Sequence, residues 1–296
     1  MTHKQSKATL AFQACNYALL LLTSLVCLLP FVNLLAVSFS GSTAVNAGIV
    51  TFWPVDFTTK SYEYALTGGK FLAALWISVK RVGLGLLVNL SLVVLTAYPM
   101  SKTVQQLKGR NAYMLFFVFT MIFYGGMIPV YLLVSQLKLL NTLSALVLPG
   151  ALPVSHMVIM MNFLRGLPAE IEEAATIDGA GPFLVLFRVV LPLMTPALAT
   201  ISLFIIVGHW NDWFNGMLYM QNPTHYPLQT YLQSLLRSFE DIMKLAGNNY
   251  AELLQRMNAR TGRAAQLFLG ALPVMLIYPL LQKHFTTGLV MGSVKG

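Results

Sequence analysis

The chain has 296 residues, of which 56% are apolar and only 10% charged, with a mean hydropathy of +0.68 and a net charge of +9. That balance excludes a soluble globular domain. The basic residues are scattered over separate connections rather than gathered into a stripe, which excludes a nucleic-acid-binding face.

Six apolar runs, at about 17–39, 79–100, 112–135, 143–163, 193–217 and 265–283, are each near the roughly 20 residues that a membrane-crossing helix needs. They predict an all-α, polytopic membrane protein of about six transmembrane helices. Lys4 and Lys7 precede the first run as they would in a signal peptide. The run from Tyr17 to Phe39 is too long for one, and no small-residue cleavage site follows its core, so it reads as an uncleaved first helix. Cys15 and Cys27 lie on that helix about 18 Å apart at about 1.5 Å per residue, which forbids a disulfide between them. Gly125, Gly126 and Pro129, then Pro149 and Pro153, then Pro273 and Pro279 interrupt later runs. Such breaks are tolerated where neighbouring helices or a cavity satisfy the freed backbone. Lys4, Lys7, Lys102, Lys108 and Arg110 weight the first two inside segments, which favours both termini inside.

The stretch LPAEIEEAATIDGAGPFLVLFRVVLP, residues 167–192, breaks the apolar pattern with Glu170, Glu172, Glu173 and Asp178. It reads as a helix–turn–helix hairpin on the inner face. Pro168 suits a first helical position, and the acids suit the positive end of the helix. Gly179 suits a left-handed stop, after which Pro182 opens a second helix running to Pro192. Ile171, Ala174, Ala175 and Asp178 follow helical spacing and form one narrow face of small residues, on which another protein could seat closely. The bland alternative is a solvated loop helix with ordinary capping acids. On the opposite side, the 218–264 connection is too long for a simple turn. Between 236 and 263 it carries Arg237, Lys244, Arg256, Arg260 and Arg263 against Glu240, Asp241 and Glu252. Its DIMKLAGNNYAELLQRMNAR segment has a helical pattern, with Leu253 and Met257 spaced for one apolar contact.

The 167–192 segment resembles the EAA loop of ABC importer permeases, with Glu173-Ala174-Ala175, Asp178-Gly179-Ala180 and Leu191-Pro192 in register. Val189 stands where the family often has Ile. WNDW at 210–213 resembles the signature that follows the loop in carbohydrate-type permeases, and QKHFTTGLVMGSVKG resembles the tail of the smaller permease subunit of maltose-type importers. The resemblance covers roughly residues 75–296. It implies a permease domain there, with a coupling loop at 168–192 and a cytoplasmic tail at 284–296, preceded by a tail, first helix and outer loop in 1–74. It further implies a second permease subunit, an ATPase dimer docked on the EAA loop, and a solute-binding protein outside, in a bacterial cytoplasmic membrane. The ATPase-coupling residues would be Ile171, Glu173, Ala174, Ala175, Asp178, Gly179 and Ala180. Gly292, Lys295 and Gly296 would contact the ATPase from the tail.

No phosphate-binding GxxxxGK[ST] loop, zinc motif or convincing nucleophile–base set occurs; TGGKF at 67–71 has the wrong spacing. The chain is therefore expected to be a translocation subunit without a cofactor or metal of its own, with ATP and Mg on the partner. The 125–168 segment resembles the permease branch associated with alginate and pectin-derived acidic saccharides. Lys80 and Arg81, at the outer end of the second run, agree with an anionic cargo or simply snorkel; a neutral oligosaccharide is the alternative. Polar groups within spans are costly and mark a pathway or interhelical hydrogen bonds: Asn89, Tyr124, Tyr131, His156, Asn162, Asn211 and Asp212. His156, about 20 Å along its run from residue 143, reads as an inner structural or gating contact. Trp210 and Trp213 read as interfacial belt or as a platform for a sugar ring. An ion-driven carrier would want paired intramembrane carboxylates, and only Asp212 qualifies.

Overall fold

The computed structural model describes residues 7–67, 69–245, 260–277 and 279, and among them every regular element is helical, with no strand. The residues divide into two compact units, 1–71 with 235–271 and 72–234 with 272–296.

In the first unit, α1 (Lys7–Ser38) is one unbroken helix despite Pro30, and its leucine-rich length is exposed while Ala36 and Ser38 are buried. Cys15 and Cys27 are both free and exposed on it, as the spacing requires. The buried end packs Ala36 with Ala44 and Val45 of α2 (Ser42–Asn46) and with Val50. Ser38 Oγ donates to the Leu35 carbonyl at 2.7 Å, so the Tyr62 hydroxyl of α3 (Lys60–Thr67), also 2.7 Å away, donates to Ser38. Phe39 stacks on Phe57 and tilts against Tyr62, with ring centroids 5.3 and 4.6 Å apart.

The second unit is organised around α4 (Lys70–Ser101), the other unbroken long helix. Val93, Val94 and Ala97 of α4 pack with Met157, Met160 and Met161, with Val190, and with Ala197 and Ile201 in one core cluster. The three apolar runs that follow are not straight. α5 (Arg110–Ile122) and α6 (Met127–Gln136) meet at 106°, where Gly126 takes a φ of 95° that a side chain would resist. α7 (Leu143–Val147) with its 3-10 extension to Gly150 meets α8 (Val154–Arg165) at 55°, around Pro149 and Pro153. After the hairpin helix α9 (Ala169–Ile177) come α10 (Pro182–Leu184), a π-helical stretch at Val185–Val190, and α11 (Leu191–Leu193). This assembly meets α12 (Thr195–Asn211) at 84°, between Pro192 and Pro196. Two helices are thus long and apolar enough to cross a membrane, or five among the described residues if each bent pair is one span. Glycine and proline end the local hydrogen-bond ladder at each break, which is why straight runs read from hydropathy become bent pairs.

Helix α12 ends at Asp212, whose ψ of 99° leaves the helical range, and α13 (Phe214–Tyr219) starts again beyond it. The predicted long outer connection is helical in its first half, α14 (Leu228–Leu245). The helix takes in the first five residues of the expected 241–260 segment, and residues 246–259 of that segment lie outside the described residues. A last helix, α15, spans 260–277, and the rest of the sixth apolar run lies outside as well. Buried Thr230 of α14 donates its hydroxyl to the Trp213 carbonyl at 2.9 Å, and Gly216 faces it with no room for a Cβ. Gly216→Ala should therefore overpack this contact and lower stability by about 1–3 kcal/mol, read as a fall in the thermal unfolding temperature of the detergent-solubilised protein.

Candidate functional site

Two polar places stand out in an otherwise apolar unit. The first is a cavity of about 200 Å³ lined by Arg81, Asn89, His156, His209, Asp212 and Asn215, among others. Arg81, on the fourth turn of α4, is 1% exposed. Its guanidinium forms an ion pair with the Asp212 carboxylate and donates to the Asp212 backbone carbonyl at 2.7 Å. The Asp212 carboxylate also accepts from the Asn215 backbone N–H at 3.1 Å and side-chain amide at 2.6 Å, which fixes the start of α13. One turn beyond Arg81, Gly85 leaves space that the His209 ring occupies; a Cβ there would overlap the ring. Asn89, another turn on, is 5% exposed, and its Nδ2 lies 3.1 Å from His209 Nε2. An amide nitrogen can only donate, so His209 Nε2 accepts. His156 stacks on Phe204 with centroids 5.7 Å apart. Three buried polar atoms in this ring of residues have no hydrogen-bond partner: Arg81 Nε, Asn89 Oδ1 and His156 Nδ1.

The second place is the hairpin. Pro168 caps α9 rather than opening it, one position earlier in role than the sequence suggests, and Gly179 takes a φ of 84° at the left-handed stop. Glu172 turns inward: it is ion-paired with Lys102, accepts from the Tyr98 hydroxyl at 3.2 Å, and has the Lys102 ammonium held 4.0 Å over the Tyr98 ring. The neighbouring Met100 carbonyl, at the end of α4, accepts from Arg110 at 2.8 Å and Arg165 at 3.3 Å. Cations at a helix C-terminus answer its unpaired carbonyls and its dipole. Ala175 and Ala180 pack against the core cluster of the unit itself. The proposed single face of small residues is thereby corrected. Ile171 and Ala175 lean inward, while the outward row is Glu170, Glu173, Ala174 and Ile177, with Asp178 exposed beyond. Ile177, which sequence reading passed over, is 86% exposed, a large apolar side chain held out at the tip.

The structure brings together three of the expected pathway residues, Asn89, His156 and Asp212, in the first place. His156 is not far along a straight helix; the bend at 150–153 puts it on the first turn of α8, against the cavity. Arg81 does not snorkel outward but is buried and paired. Tyr131 stacks on Tyr219, which borders the cavity, with centroids 6.4 Å apart. Tyr124, Asn162 and Asn211 are exposed; Trp210 is buried and Trp213 half-buried, so Trp210 forms neither a belt nor an open platform. Arg81, His209 and Asn215 complete the cavity and were not singled out as pathway residues. The tail residues Gly292, Lys295 and Gly296, and Arg256 in the outer connection, lie outside the described residues.

Removing one partner of a buried ion pair leaves an uncompensated charge. Arg81→Met should destabilise the protein by about 3–5 kcal/mol, whereas Arg81→Met with Asp212→Leu should regain a large part of the loss. Unfolding in mixed detergent micelles would show the two variants well separated; equal losses would mean that the pair is not coupled.

No family model matches the chain. Over its whole length it is 36% identical to Protein LplC of Bacillus subtilis (strain 168), covering 98% of that protein. It is 35% identical to the polygalacturonan/rhamnogalacturonan transport system permease protein YtcP of the same organism, with 96% of this chain and 98% of that protein aligned. It also superposes, with a TM-score of 0.84 and 29% identity, on a chain of a bacterial ABC transporter involved in the import of the acidic polysaccharide alginate, covering 96% of this chain and 100% of that one. The chain belongs to the permeases of ABC sugar importers, integral membrane subunits that are not themselves enzymes.

Proposed function

We propose that this permease works in a bacterial cytoplasmic membrane with six spans and both termini inside, and that it moves an acidic oligosaccharide inward. It would act beside a second permease subunit, with a solute-binding protein delivering cargo from outside. ATP, with Mg, would be hydrolysed on a separate ATPase dimer that receives α9 in a cleft. The observation that carries this coupling role is the outward row of α9, where exposed Ile177 stands beside exposed Glu173 and Asp178. An apolar anchor ringed by charge is what a partner's pocket can bury. The inward row explains how a push would be transmitted. Glu172 fastens α9 to the end of α4 through Lys102 and Tyr98, so α9 cannot rock without carrying α4. The tail, 284–296, would add a second ATPase contact through Gly292, Lys295 and Gly296.

The acidic cargo rests on the names of two relatives, one a polygalacturonan/rhamnogalacturonan system and one an alginate importer. A neutral oligosaccharide is the alternative. An ion-driven carrier fits poorly, because the carboxylate that would have to take up and release a proton, Asp212, is held by Arg81 and Asn215.

Ile177→Asp, Glu173→Lys and Gly179→Val test the coupling reading in proteoliposomes holding the whole importer. Each should lower cargo-stimulated ATPase activity by at least about tenfold, the effect of losing an interface anchor, while the permease still reaches the membrane. Full stimulation in all three would remove the docking role of α9. For the cargo, the same vesicles should take up oligogalacturonate in preference to maltodextrin, and the reverse preference would replace the acidic reading by the neutral one.

A further inference from the structure

Resting on the permease reading, in which α1 crosses the membrane from the inside, we infer that the loop between α2 and α3 is a lipid anchor. Its tip, Ile49, Phe52 and Trp53, sits in the headgroup layer of the outer leaflet and holds the outer end of α1 at a fixed depth.

The loop is built to hold its tip out. Gly48 ends α2 in a left-handed turn, φ 72°, with its N–H on the Val45 carbonyl at 3.2 Å and the Ile49 N–H on the Ala44 carbonyl at 3.3 Å. The returning chain is fastened to the segment that follows α1. Gly41 N–H donates to the Val55 carbonyl at 3.0 Å, Val55 N–H to Ser40 Oγ at 3.0 Å, and Thr58 N–H to the Phe39 carbonyl at 2.9 Å. At the tip, however, Ile49 and Phe52 are exposed and Trp53 is 82% exposed. Water is a poor environment for three large apolar side chains held out on one short loop.

Depth decides the partner. A helix needs about 20 residues to cross the hydrocarbon core. For α1 the crossing cannot begin before charged Lys7 and begins no later than Tyr17, where the long apolar stretch opens after Gln13 and Asn16. It therefore ends between about residue 27 and about residue 37. Asn33 lies within that interval, and its side-chain amide donates to the Thr51 carbonyl at 2.7 Å. The loop is thus drawn back beside α1 to the membrane boundary, and Trp53 is at most about 7 Å of chain from Thr51. Below Asn33 on the same face of α1, Leu29, Val26 and Leu22 are exposed, so the tip extends the apolar surface that α1 turns to lipid. Residues 41–55 carry no charge, whereas Asp56 and Lys60 follow. An indole, with an apolar body and one N–H for headgroup oxygens, is a group that settles at such a boundary.

The test is fluorine NMR on the permease with its partner subunits, labelled with fluorotryptophan, in nanodiscs of phosphatidylcholine and phosphatidylglycerol. Trp53 is the resonance missing from Trp53→Phe, a variant that keeps an aromatic ring in place. A lipid carrying a nitroxide near its headgroup should broaden that resonance more than one carrying it mid-chain. A water-soluble gadolinium chelate, at a concentration that erases free fluorotryptophan, should leave it visible. Addition of the solute-binding protein should not move it. Erasure by the chelate, stronger broadening from mid-chain, a shift caused by the binding protein, or indifference to every agent would each overturn the inference. The last two would give the loop to a protein partner instead of lipid. Cys27, about 15 Å beyond Tyr17 and so within the core, should resist a membrane-impermeant maleimide in the same discs. Its modification would withdraw the crossing of α1 itself, an outcome distinct from the failures above, and ATP-independent uptake would separately sink the importer reading.

Discussion

A guanidinium inside an apolar helix bundle sets terms that the surrounding chain has to meet. Arg81 is answered by both the carboxylate and the backbone carbonyl of Asp212, and a carbonyl at a helix end, without an intrahelical donor, is the readier acceptor. The end of α12 at Asp212 and the restart of α13 are therefore tied to the ion pair: the break supplies the acceptor, and Asn215 locks the carboxylate that remains. Gly85 is tied to it as well, because α12 must come close enough to α4 for Asp212 to reach, and His209, one turn earlier, then needs the space of a side chain. Such a pair is weak evidence for stability in itself. Its effect here is positional, since it determines where α12 stops and which polar atoms end up around one small cavity.

The same helix, α4, carries the other polar place at its far end. From Arg81 to Lys102 the chain advances 21 residues, about 32 Å at about 1.5 Å per residue, roughly the thickness of a bilayer core. At one end α4 is clamped to the break after α12, at the other to the inward row of α9. Between them it has no break, whereas the three neighbouring apolar segments bend by 106°, 55° and 84°. A π-helical stretch, Val185–Val190, lies between α9 and α12, and such stretches are rare and frequently found at functional sites. One unbroken rod among bent neighbours is a geometry that can carry a displacement from the hairpin to the cavity.

What the sequence made legible was local. The acid-rich start of α9, the glycine stop at 179 and the proline that opens α10 act within a few residues of one another, and their spacing survives folding almost unchanged. The polytopic all-helical class was legible from hydropathy alone. Pairings across long separations were not. Nothing near Arg81 in the chain announces Asp212, 131 residues away, and a lone arginine in an apolar run looks the same whether it snorkels or is paired. The position of His156 was misjudged because distance was counted along a straight helix, while Pro149 and Pro153 had already ended it. The direction of Ala175 was misjudged for a related reason: helical spacing groups residues on a face but does not say which face the rest of the unit will cover. Polar groups within apolar runs, Asn89, His156 and Asp212, were one signal for the cavity, and Gly85 and Gly208, on the α4 and α12 helices that approach it, were another.

The chemistry of the cavity also bears on what a conduit should recognise. A passage that bound its cargo tightly would hold it, so conduction needs sites favourable enough to enter and weak enough to leave. A free buried arginine meeting a uronate would form a charge-assisted, bidentate contact, among the stronger polar interactions available to a protein. Pairing Arg81 with Asp212 withholds that contact. It leaves isolated hydrogen-bonding atoms, each contributing modestly once exchange with water is counted. The arrangement reconciles two facts that otherwise pull apart, a likeness to systems named for acidic polysaccharides and a cavity whose one cation is already neutralised. With that cation already paired, the cavity offers an anionic group no unpaired charge to hold it there.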